Sequence, residues 1–203
     1  MYANGGTHSV PLVSIPYSDL ATFLGYFVSE GNCYVRPYPH AAYRITIGQS
    51  KKNPVVSEKI KRSMQALPFN VTRFDRKDDV VTWTISNRRF AEWVKENCGD
   101  GCQSKKIPDC VYEWGPTLLG KFLEAAIDGD GHRKTANYAQ YYSSSKELAD
   151  GIQAVALALG YKTVMGNSLS KGTRIYCVSL NNRTKTFALQ PWSLSREYYK
   201  GKV

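Results

Sequence analysis

The sequence predicts an α+β fold built from two pseudo-symmetric halves, each with the element order αββαββ(α). The segments FLGYFVSEG and LEAAIDGDG are both apolar, and each closes on an acidic residue and a glycine. Each is followed by two strand-like segments, a helix and two more strand-like segments. We therefore divide the 203 residues into an N-terminal extension (1–17), a first repeat (18–112) and a second repeat (113–203).

The elements of the first half follow from periodicity and turn residues. SDLATFLGYFVSEGN predicts a helix capped by Asp19, because apolar residues recur in it at helical spacing. Strands are predicted near 33–37 and 42–49, followed by a helix that ends before Pro68. NVTRFDRKDDVVTWTIS predicts two more strands around a charged turn at 75–79, and NRRFAEWVKENCG predicts a short closing helix.

The second half repeats this order. Pro116 suits the first turn of a helix that continues to Gly131, and HRKTANYAQYYS predicts a hairpin. SSKELADGIQAVALALGY predicts a helix that is capped by Ser144 or Ser145 and ended by Gly160. Two strands that turn at 170–172 follow, and a trailing helix is evident only in the first half.

The charge balance favours a polyanionic partner. The 27 basic and 17 acidic residues give a net charge of +10, and no basic amphipathic helix stands out, so we expect nucleic acid rather than a membrane. No apolar stretch approaches the roughly 18 residues that span a bilayer, and the N-terminus shows no secretory signal. With an odd number of cysteines, five, we expect an intracellular protein, cytoplasmic or nucleoid-associated and not secreted.

Three of the cysteines cluster in CGDGCQSKKIPDC, at Cys98, Cys102 and Cys110. Three thiols near glycines could bind zinc, but no fourth ligand lies nearby in the sequence. The alternative, free thiols in a loop, is the preferred interpretation.

Small residues occupy matched positions on the two repeated helices. Gly25 and Ser29 are four residues apart, as are Ala125 and Gly129. Small residues at this spacing allow two helix backbones to approach closely. We therefore expect the two helices to pack on each other with their C-terminal ends together.

This packing would bring Glu30 and Asp130 to one place. Two adjacent carboxylates repel unless a cation lies between them, and hard oxygen ligands suit Mg²⁺, for which Mn²⁺ can substitute. Such a site could hydrolyse phosphodiesters. The alternative is that the two residues merely end their helices, but a carboxylate at a helix C-terminus opposes the helix dipole, so stability does not explain the matched pair.

Both segments resemble the LAGLIDADG motif of the homing endonucleases, the second (IDGDG) closely and the first with more divergence. The resemblance runs from about Ser18 onward. KKIP resembles the approach to the second motif in intein-borne members, and YYSSSKELADGIQAVALALGY resembles the stretch that follows it. The resemblance implies a monomeric endonuclease whose antiparallel sheets form a saddle for double-stranded DNA.

The resemblance also assigns roles to the acidic residues. In that family the last acidic residue of each motif binds divalent metal, which here implies Glu30 and Asp130. Asp128 matches an earlier acidic position of the motif, but its counterpart in the first half is Val28. We therefore interpret Asp128 as a structural or supporting residue.

A catalytic lysine is implied as well. Intein-borne members carry a lysine just ahead of the Ile-Pro segment, which here falls on Lys105, with Lys106 beside it. A cation there could polarise the attacking water or stabilise developing phosphate charge. For the second half, Lys185 after the last strand is the candidate.

The strands are expected to supply the DNA-binding residues. Alternation places Tyr43, Ile45 and Ile47 toward the helices and Arg44 and Thr46 toward the ligand, and the residues 36–77 include ten basic but only two acidic side chains. Arg and Gln can pair with guanine and adenine edges, and lysines in turns suit phosphate. The predicted set is Arg36, Arg44, Thr46, Gln49, Lys51, Arg73, Arg76, Lys77, Thr82, Thr84, Arg133, Lys134, Tyr138, Gln140, Tyr142 and Arg174.

The resulting hypothesis is a site-specific homing endonuclease that breaks both strands of a long DNA target by metal-dependent hydrolysis. SREYYKGKV resembles the approach to the C-terminal splicing block of inteins, so the chain is expected to be an intein's endonuclease region or a free-standing relative. Two other classes stay open at this point. One is a non-catalytic binder with the same fold, either an RNA maturase or a DNA-binding regulator, and the other is a basic domain without catalysis.

Overall fold

Two four-stranded antiparallel sheets and five α-helices make up residues 13–182, the part of the chain that this computed structural model describes. The first half contains α1 (Tyr17–Glu30), β1 (Gly31–Arg36), β2 (Ala42–Ser50), α2 (Pro54–Gln65), β3 (Val71–Asp75), β4 (Val80–Ile85) and α3 (Arg88–Cys98). A 3-10 helix (Asp109–Glu113) leads into the second half, which contains α4 (Pro116–Asp130), β5 (Gly131–Thr135), β6 (Tyr138–Ser143), α5 (Lys146–Ala158), β7 (Lys162–Ser170) and β8 (Thr173–Asn181).

The two sheets have the same topology. Their strand orders are β1-β2-β4-β3 and β5-β6-β8-β7, so in each half the second strand pairs with the fourth and the third lies at an edge. The register matches too, because Gly31 pairs with Ile47 and Gly131 pairs with Tyr141. The predicted α+β fold with two pseudo-symmetric halves is therefore confirmed.

The α1 and α4 helices pack directly against each other, as their small residues predict. A Cβ added at Gly25 would lie 2.3 Å from the carbonyl oxygen of Phe122 and 2.7 Å from the Cβ of Ala125. A Cβ at Gly129 would lie 2.6 Å from the Cβ of Ser29. The helix backbones are thus as close as glycine at these positions permits.

Helix termini confirm most of the predicted signals and correct one. Ser145, rather than Ser144, caps α5, since its hydroxyl accepts from the backbone N–H of Leu148. Gly160 follows that helix with a φ of +83°, a conformation that favours glycine. Asp19 does not cap α1, because the helix begins earlier, at Tyr17, and Asp19 lies inside its first turn, where a carboxylate still complements the helix dipole.

Each sheet buries one face against helices and leaves the other open. In the first sheet Ile45, Ile47 and Ile85 are fully buried, whereas the alternating Arg44 is exposed and Thr46 is half-buried. Tyr141, Val178 and Leu180 form the buried row of the second sheet. In residues 13–182, no helix is long and apolar enough to cross a membrane.

Candidate functional site

Glu30 and Asp130 meet where the two central helices end. Each is the last residue of its helix, α1 or α4. The glycine contact between the helices continues to this point, since a Cβ at Gly129 would lie 3.2 Å from the Cγ of Glu30. The structure therefore brings together the two carboxylates that the repeat pairs in the sequence.

Glu30 is held by a side chain of its own half. The Nε2 of Gln49 donates to the Oε1 of Glu30 at 3.0 Å, and the Oε1 of Gln49 accepts from the backbone N–H of Ser50 at 2.7 Å. Burial raises the pKa of Glu30, while the Gln49 hydrogen bond and the Lys105 charge lower it. The carboxylate thus has a defined orientation before any ligand arrives.

Burial and the neighbouring Glu30 carboxylate contribute to a raised pKa of Asp130. Desolvation and the neighbouring Glu30 raise the pKa of Asp130 to about 7, against a smaller lowering by Lys105. Two close carboxylates ionise in steps, so the repulsion falls on the group that ionises second. The Asp130 side chain nevertheless remains accessible to solvent, and hence to a ligand.

Lys105 is buried beside both carboxylates. Its Nζ donates to the carbonyl oxygens of Phe27 at 3.2 Å and Ser29 at 2.8 Å, in the last turn of α1, where a cation complements the helix dipole. Burial lowers the pKa of Lys105, and the charges of Asp130 and Glu30 oppose that change. An ammonium with three N–H groups that donates to two carbonyls keeps the third for another acceptor.

A hydrogen-bonded group lies behind the carboxylates. The Ser29 hydroxyl donates to the carbonyl oxygen of Ala126 at 3.0 Å and lies 3.3 Å from the hydroxyl of Tyr141, which is wholly buried. Ser29 belongs to the first half, and the other two belong to the second. These bonds tie the two halves together one residue before Glu30.

A recess of about 270 Å³ opens on the second-half side of the site. Asp130, Lys105, Cys102, Tyr142 and Ser144 contribute to its lining. An acid, a base and several hydroxyls in one recess suit a phosphate group with its water.

Asp128 does not join this group. Its carboxylate is 2.7 Å from the Nζ of Lys59 and 3.6 Å from the guanidinium of Arg133, and the hydroxyl of Tyr26 donates to it at 3.5 Å. Lys59 and Tyr26 belong to the first half, so Asp128 links the halves through ion pairs. This arrangement matches the supporting role expected from the sequence.

The oxygen donors at the junction fit a hard divalent cation. Glu30 and Asp130 offer carboxylate oxygens, the ligands that Mg²⁺ prefers together with water and phosphate. Within the described residues no cluster of three or more His, Cys, Asp or Glu side chains could hold a metal alone. The site therefore suits an ion that completes its shell from water and substrate.

The same finding bears on the cysteines. Cys98 is buried, Cys102 is exposed, Cys110 is half-buried, and all three are free thiols. Burial raises the pKa of the Cys98 thiol. The zinc interpretation has no support in the described part of the chain.

Most of the predicted DNA-binding residues lie on the open sheet faces or in the adjoining turns. Directly opposed residues of an antiparallel pair share a face, and by this register the open faces carry Arg36, Arg44, Thr46, Thr82, Thr84, Tyr138, Gln140 and Tyr142. Lys134 lies over the ring of Tyr138 at 5.7 Å. Lys51, Arg76 and Lys77 are exposed in turns, where Lys51 pairs with Asp75 and Arg76 with Asp78. Thr82 is nearly covered and donates to the carbonyl oxygen of Phe74.

Four residues of that set lie elsewhere. Arg73 pairs with Trp83, Arg133 with Ala139 and Arg174 with Leu169, which places all three arginines on the helix-side faces of their sheets. Gln49 continues the buried row of Ile45 and Ile47 and binds Glu30. Each of the four lies one step of the strand alternation away from the open face, and their contact with DNA stays a prediction.

Other open-face residues were absent from the sequence-based set. Asn32 pairs with Thr46, Tyr34 with Arg44, and His132 with Gln140, so all three belong to the open faces. For Asn32 and Tyr34 the signal was available, since they flank the apolar Cys33 that faces the helices. Lys185 lies outside the described residues.

Comparison with known proteins agrees with this geometry. Residues 117–185 match the model of the LAGLIDADG-like domain. Among solved structures, the homing endonuclease I-DmoI in complex with DNA and Ca has a TM-score of 0.65 at 15% identity, covering 82% of this chain and 84% of that one. Full-length DUF199/WhiA from Thermatoga maritima has a TM-score of 0.54 at 12% identity, covering 84% and 53%. The second half thus matches a LAGLIDADG-like domain, and the chain has the LAGLIDADG fold.

Relatives in sequence are much longer proteins. The chain is 35% identical over 100 residues to the ATP-dependent DNA helicase Hel308 of Thermococcus kodakarensis, which covers 43% of this chain and 8% of the helicase. It is 24% identical over 167 residues to the DNA polymerase of Thermococcus hydrothermalis, which covers 82% and 10%. The chain therefore spans a tenth or less of the length of these relatives.

Proposed function

We propose that this chain is a site-specific homing endonuclease that acts as a monomer and makes double-strand breaks in a long DNA target by divalent-metal-dependent phosphodiester hydrolysis. The observation that carries the proposal is the meeting of Glu30 and Asp130 at the ends of α1 and α4, where β1 and β5 begin. The fold, the oxygen donors and the excess of positive charge support it.

The residues at the ends of α1 and α4 and their neighbours would have different roles in the reaction. Glu30 and Asp130 would hold Mg²⁺, or Mn²⁺ in its place, and the bound ion would supply positive charge to the phosphate and acidify water. Gln49 fixes the Glu30 carboxylate, which limits the reorganisation needed when the ligand binds. Lys105 would direct its remaining N–H to a phosphate oxygen or to water. In each hydrolysis the water oxygen attacks phosphorus, the bond from phosphorus to one ester oxygen breaks, and that oxygen takes a proton.

Substitution of the carboxylates tests the assignment. With a target-bearing supercoiled plasmid and Mg²⁺, Glu30→Gln and Asp130→Asn are expected to reduce linearisation at least about 100-fold, because the charge that holds the cation is lost. Binding of the target in Ca²⁺ should persist. Asp128→Asn is the matched control, since its carboxylate lies two residues away but pairs with Lys59, and it should cleave within a few-fold of wild type. Cleavage of both strands at the wild-type rate by Asp130→Asn would refute the site.

We further propose that the chain is the endonuclease region of an intein. Similar segments form small parts of a helicase and of a DNA polymerase, two otherwise different proteins, as expected for an inserted element. The DNA target would then be the host gene with the insertion removed. Cleavage of that uninterrupted sequence, but not of the gene that contains the insertion, is the expected result, and equal cleavage of both would contradict the intein origin.

A further inference from the structure

Three open-face residues of β6 differ in kind from their counterparts in the first half. Gly31 pairs with Ile47 and Gly131 with Tyr141, so β2 and β6 align at Ile47 and Tyr141. The alignment matches Tyr138, Gln140 and Tyr142 to Arg44, Thr46 and Gly48, in that order. The central strand of the second half therefore presents an amide between two tyrosines, where the first half presents a hydroxyl between an arginine and a glycine.

The amide of Gln140 is held in one orientation by its neighbours. The hydroxyl of Tyr142 donates to its Oε1 at 3.1 Å. Its Nε2 donates to the Oγ of Ser179 at 3.4 Å and approaches the Sγ of Cys177 at 3.5 Å. The hydroxyl of Tyr138 donates to the same Ser179 oxygen at 3.1 Å, which positions that acceptor in turn.

These bonds leave an acceptor of Gln140 unused and one of its donors only weakly bound. A carboxamide has two N–H donors and two acceptor lone pairs, so one lone pair of Oε1 remains beyond the contacts made within the sheet. Of the two N–H donors, one makes only the 3.5 Å contact to the Sγ of Cys177, a weak acceptor that a base nitrogen can replace. In the major groove adenine presents the N7 acceptor beside the N6 donor, which this pair of groups matches in a bidentate contact. Guanine presents two acceptors there, O6 and N7, and would leave the Oε1 of Gln140 facing another acceptor.

The central strand of the first half has no such oriented amide at the matched position. Thr46 lies 3.3 Å from the Thr84 hydroxyl, and a single hydroxyl can contact several bases. Gly48, at the position matched to Tyr142, has no side chain to orient a neighbour. On the central strand, an amide is therefore present at this position only in the second half.

We propose that Gln140, oriented by Tyr142 and Ser179, reads one adenine in the major groove of the target half that the second half of the protein covers. The proposal rests on the proposed function, since it presumes sequence-specific binding of duplex DNA. Gln140 is the specificity-determining residue, and Tyr142 acts through it as a positioning residue.

The test is the base preference of bound DNA. Duplexes with a randomised core are selected by the wild-type protein in Ca²⁺ and sequenced, and the selection is repeated with variants. The wild-type profile should contain an A·T pair preferred about tenfold at one position, a typical discrimination for one bidentate contact. Gln140→Ala and Gln140→Thr, the second of which installs the residue found at the matched position 46, should reduce that preference to within about twofold and leave all other positions unchanged.

Tyr142→Phe keeps the ring and removes the donor, so it should weaken the same preference to about threefold. Thr46→Ala is the matched control and should leave that position unchanged. If the wild type selects a consensus and the Gln140 variants select the same one, the inference is overturned, whatever the status of the endonuclease. If the wild type selects no consensus, the proposed function itself fails. Thermal melting and binding of a random duplex establish that each variant is folded.

Discussion

Glu30 and Asp130 occupy matched positions, yet different side chains hold them. Gln49 donates to Glu30, whereas the residue matched to Gln49 in the second half is Ser143, whose hydroxyl accepts from the backbone N–H of Ser145. The hydrogen bond that fixes Glu30 therefore has no equivalent from that position. The two carboxylates of one site are prepared to different degrees.

Gln49→Ala is expected to slow the cleavage of one DNA strand more than the other. Loss of the amide frees the Glu30 carboxylate to rotate, and the loss of one preorganised hydrogen bond commonly costs on the order of 10- to 100-fold in rate. The measurement is the time course of supercoiled, nicked and linear plasmid, in which nicked DNA should accumulate. Ser143→Ala is the control at the matched position, and it should not add nicked product. Equal slowing of both strands would argue against this role of Gln49.

Metal-free Asp130→Asn should gain stability over the wild type as pH rises from about 4 to 7, and it should keep that gain above pH 7. In the folded protein the pKa of Asp130 is raised to about 7 from its ordinary value of 3.8, so the folded state binds the extra proton between these values and loses stability as pH rises through them. Because solvent screens this accessible carboxylate, we expect a gain of about 1 kcal/mol above pH 7, or roughly 2–4 °C in Tm. The gain should vanish near pH 4. Thermal melts in EDTA across this range provide the measurement, and a gain that does not change with pH would contradict the shift.

At the scale of elements, the close packing of α1 against α4 depends on the positions of two glycines. Ser29 fits because its partner position is Gly129, and Ala125 fits because its partner is Gly25. Each contact combines one small side chain with one glycine. The interface that aligns the carboxylates is therefore specified by pairs of positions across the repeat.

Gly25→Ala is expected to destabilise the protein by about 1–3 kcal/mol, because its Cβ would overlap the backbone of α4 at Phe122. Gly120→Ala is the control within α4, where an added Cβ meets nothing within 4 Å. Relief of glycine's entropic cost should make that variant neutral or up to about 1 kcal/mol more stable. Urea unfolding of the two variants measures both effects, and equal stability of Gly25→Ala and wild type would rule out the close approach.

At the scale of the whole molecule, the placement of the basic side chains bears on how DNA would be bound. The net charge of +10 draws the chain to a polyanion regardless of sequence. Basic side chains occur on both sides, however, and under the proposed function only those on the open faces and in the sheet turns contact the DNA backbone. The salt dependence of DNA binding would distinguish basic residues that contact phosphate from those that do not.

Lys77→Ala should reduce the slope of log K against log salt concentration by about 0.9, the value for one lost phosphate contact. Lys77 is exposed in the turn between β3 and β4. Arg62→Ala removes the same charge from α2, on the helix side, where Arg62 pairs with Glu58, and should leave the slope unchanged. Fluorescence anisotropy with a target duplex in Ca²⁺ gives the slopes. A similar reduction for both variants would place the DNA on no particular face.

The sequence predicted side-chain direction well where one face of a strand is buried. Ile45 and Ile47 mark the helix side of β2, so Arg44 and Thr46 followed by alternation. The edge strands β3 and β5 are exposed along most of their length. Neither face of such a strand carries an apolar row, so alternation alone does not indicate the direction of Arg73 or Arg133. Gln49 could have been placed correctly, because it continues the row of Ile45 and Ile47.

The amino-acid sequence by itself determined the repeat, the order of the elements and the pairing of Glu30 with Asp130, because periodicity, small-residue spacing and motif positions are local properties. Only the tertiary structure decided which groups surround that pair. Gln49 and Lys105 come from different segments, and the amide network of Gln140 joins two strands nearly forty residues apart. Such contacts depend on strand register and on the packing of the helices against the sheets. Both are set only when the two halves fold together.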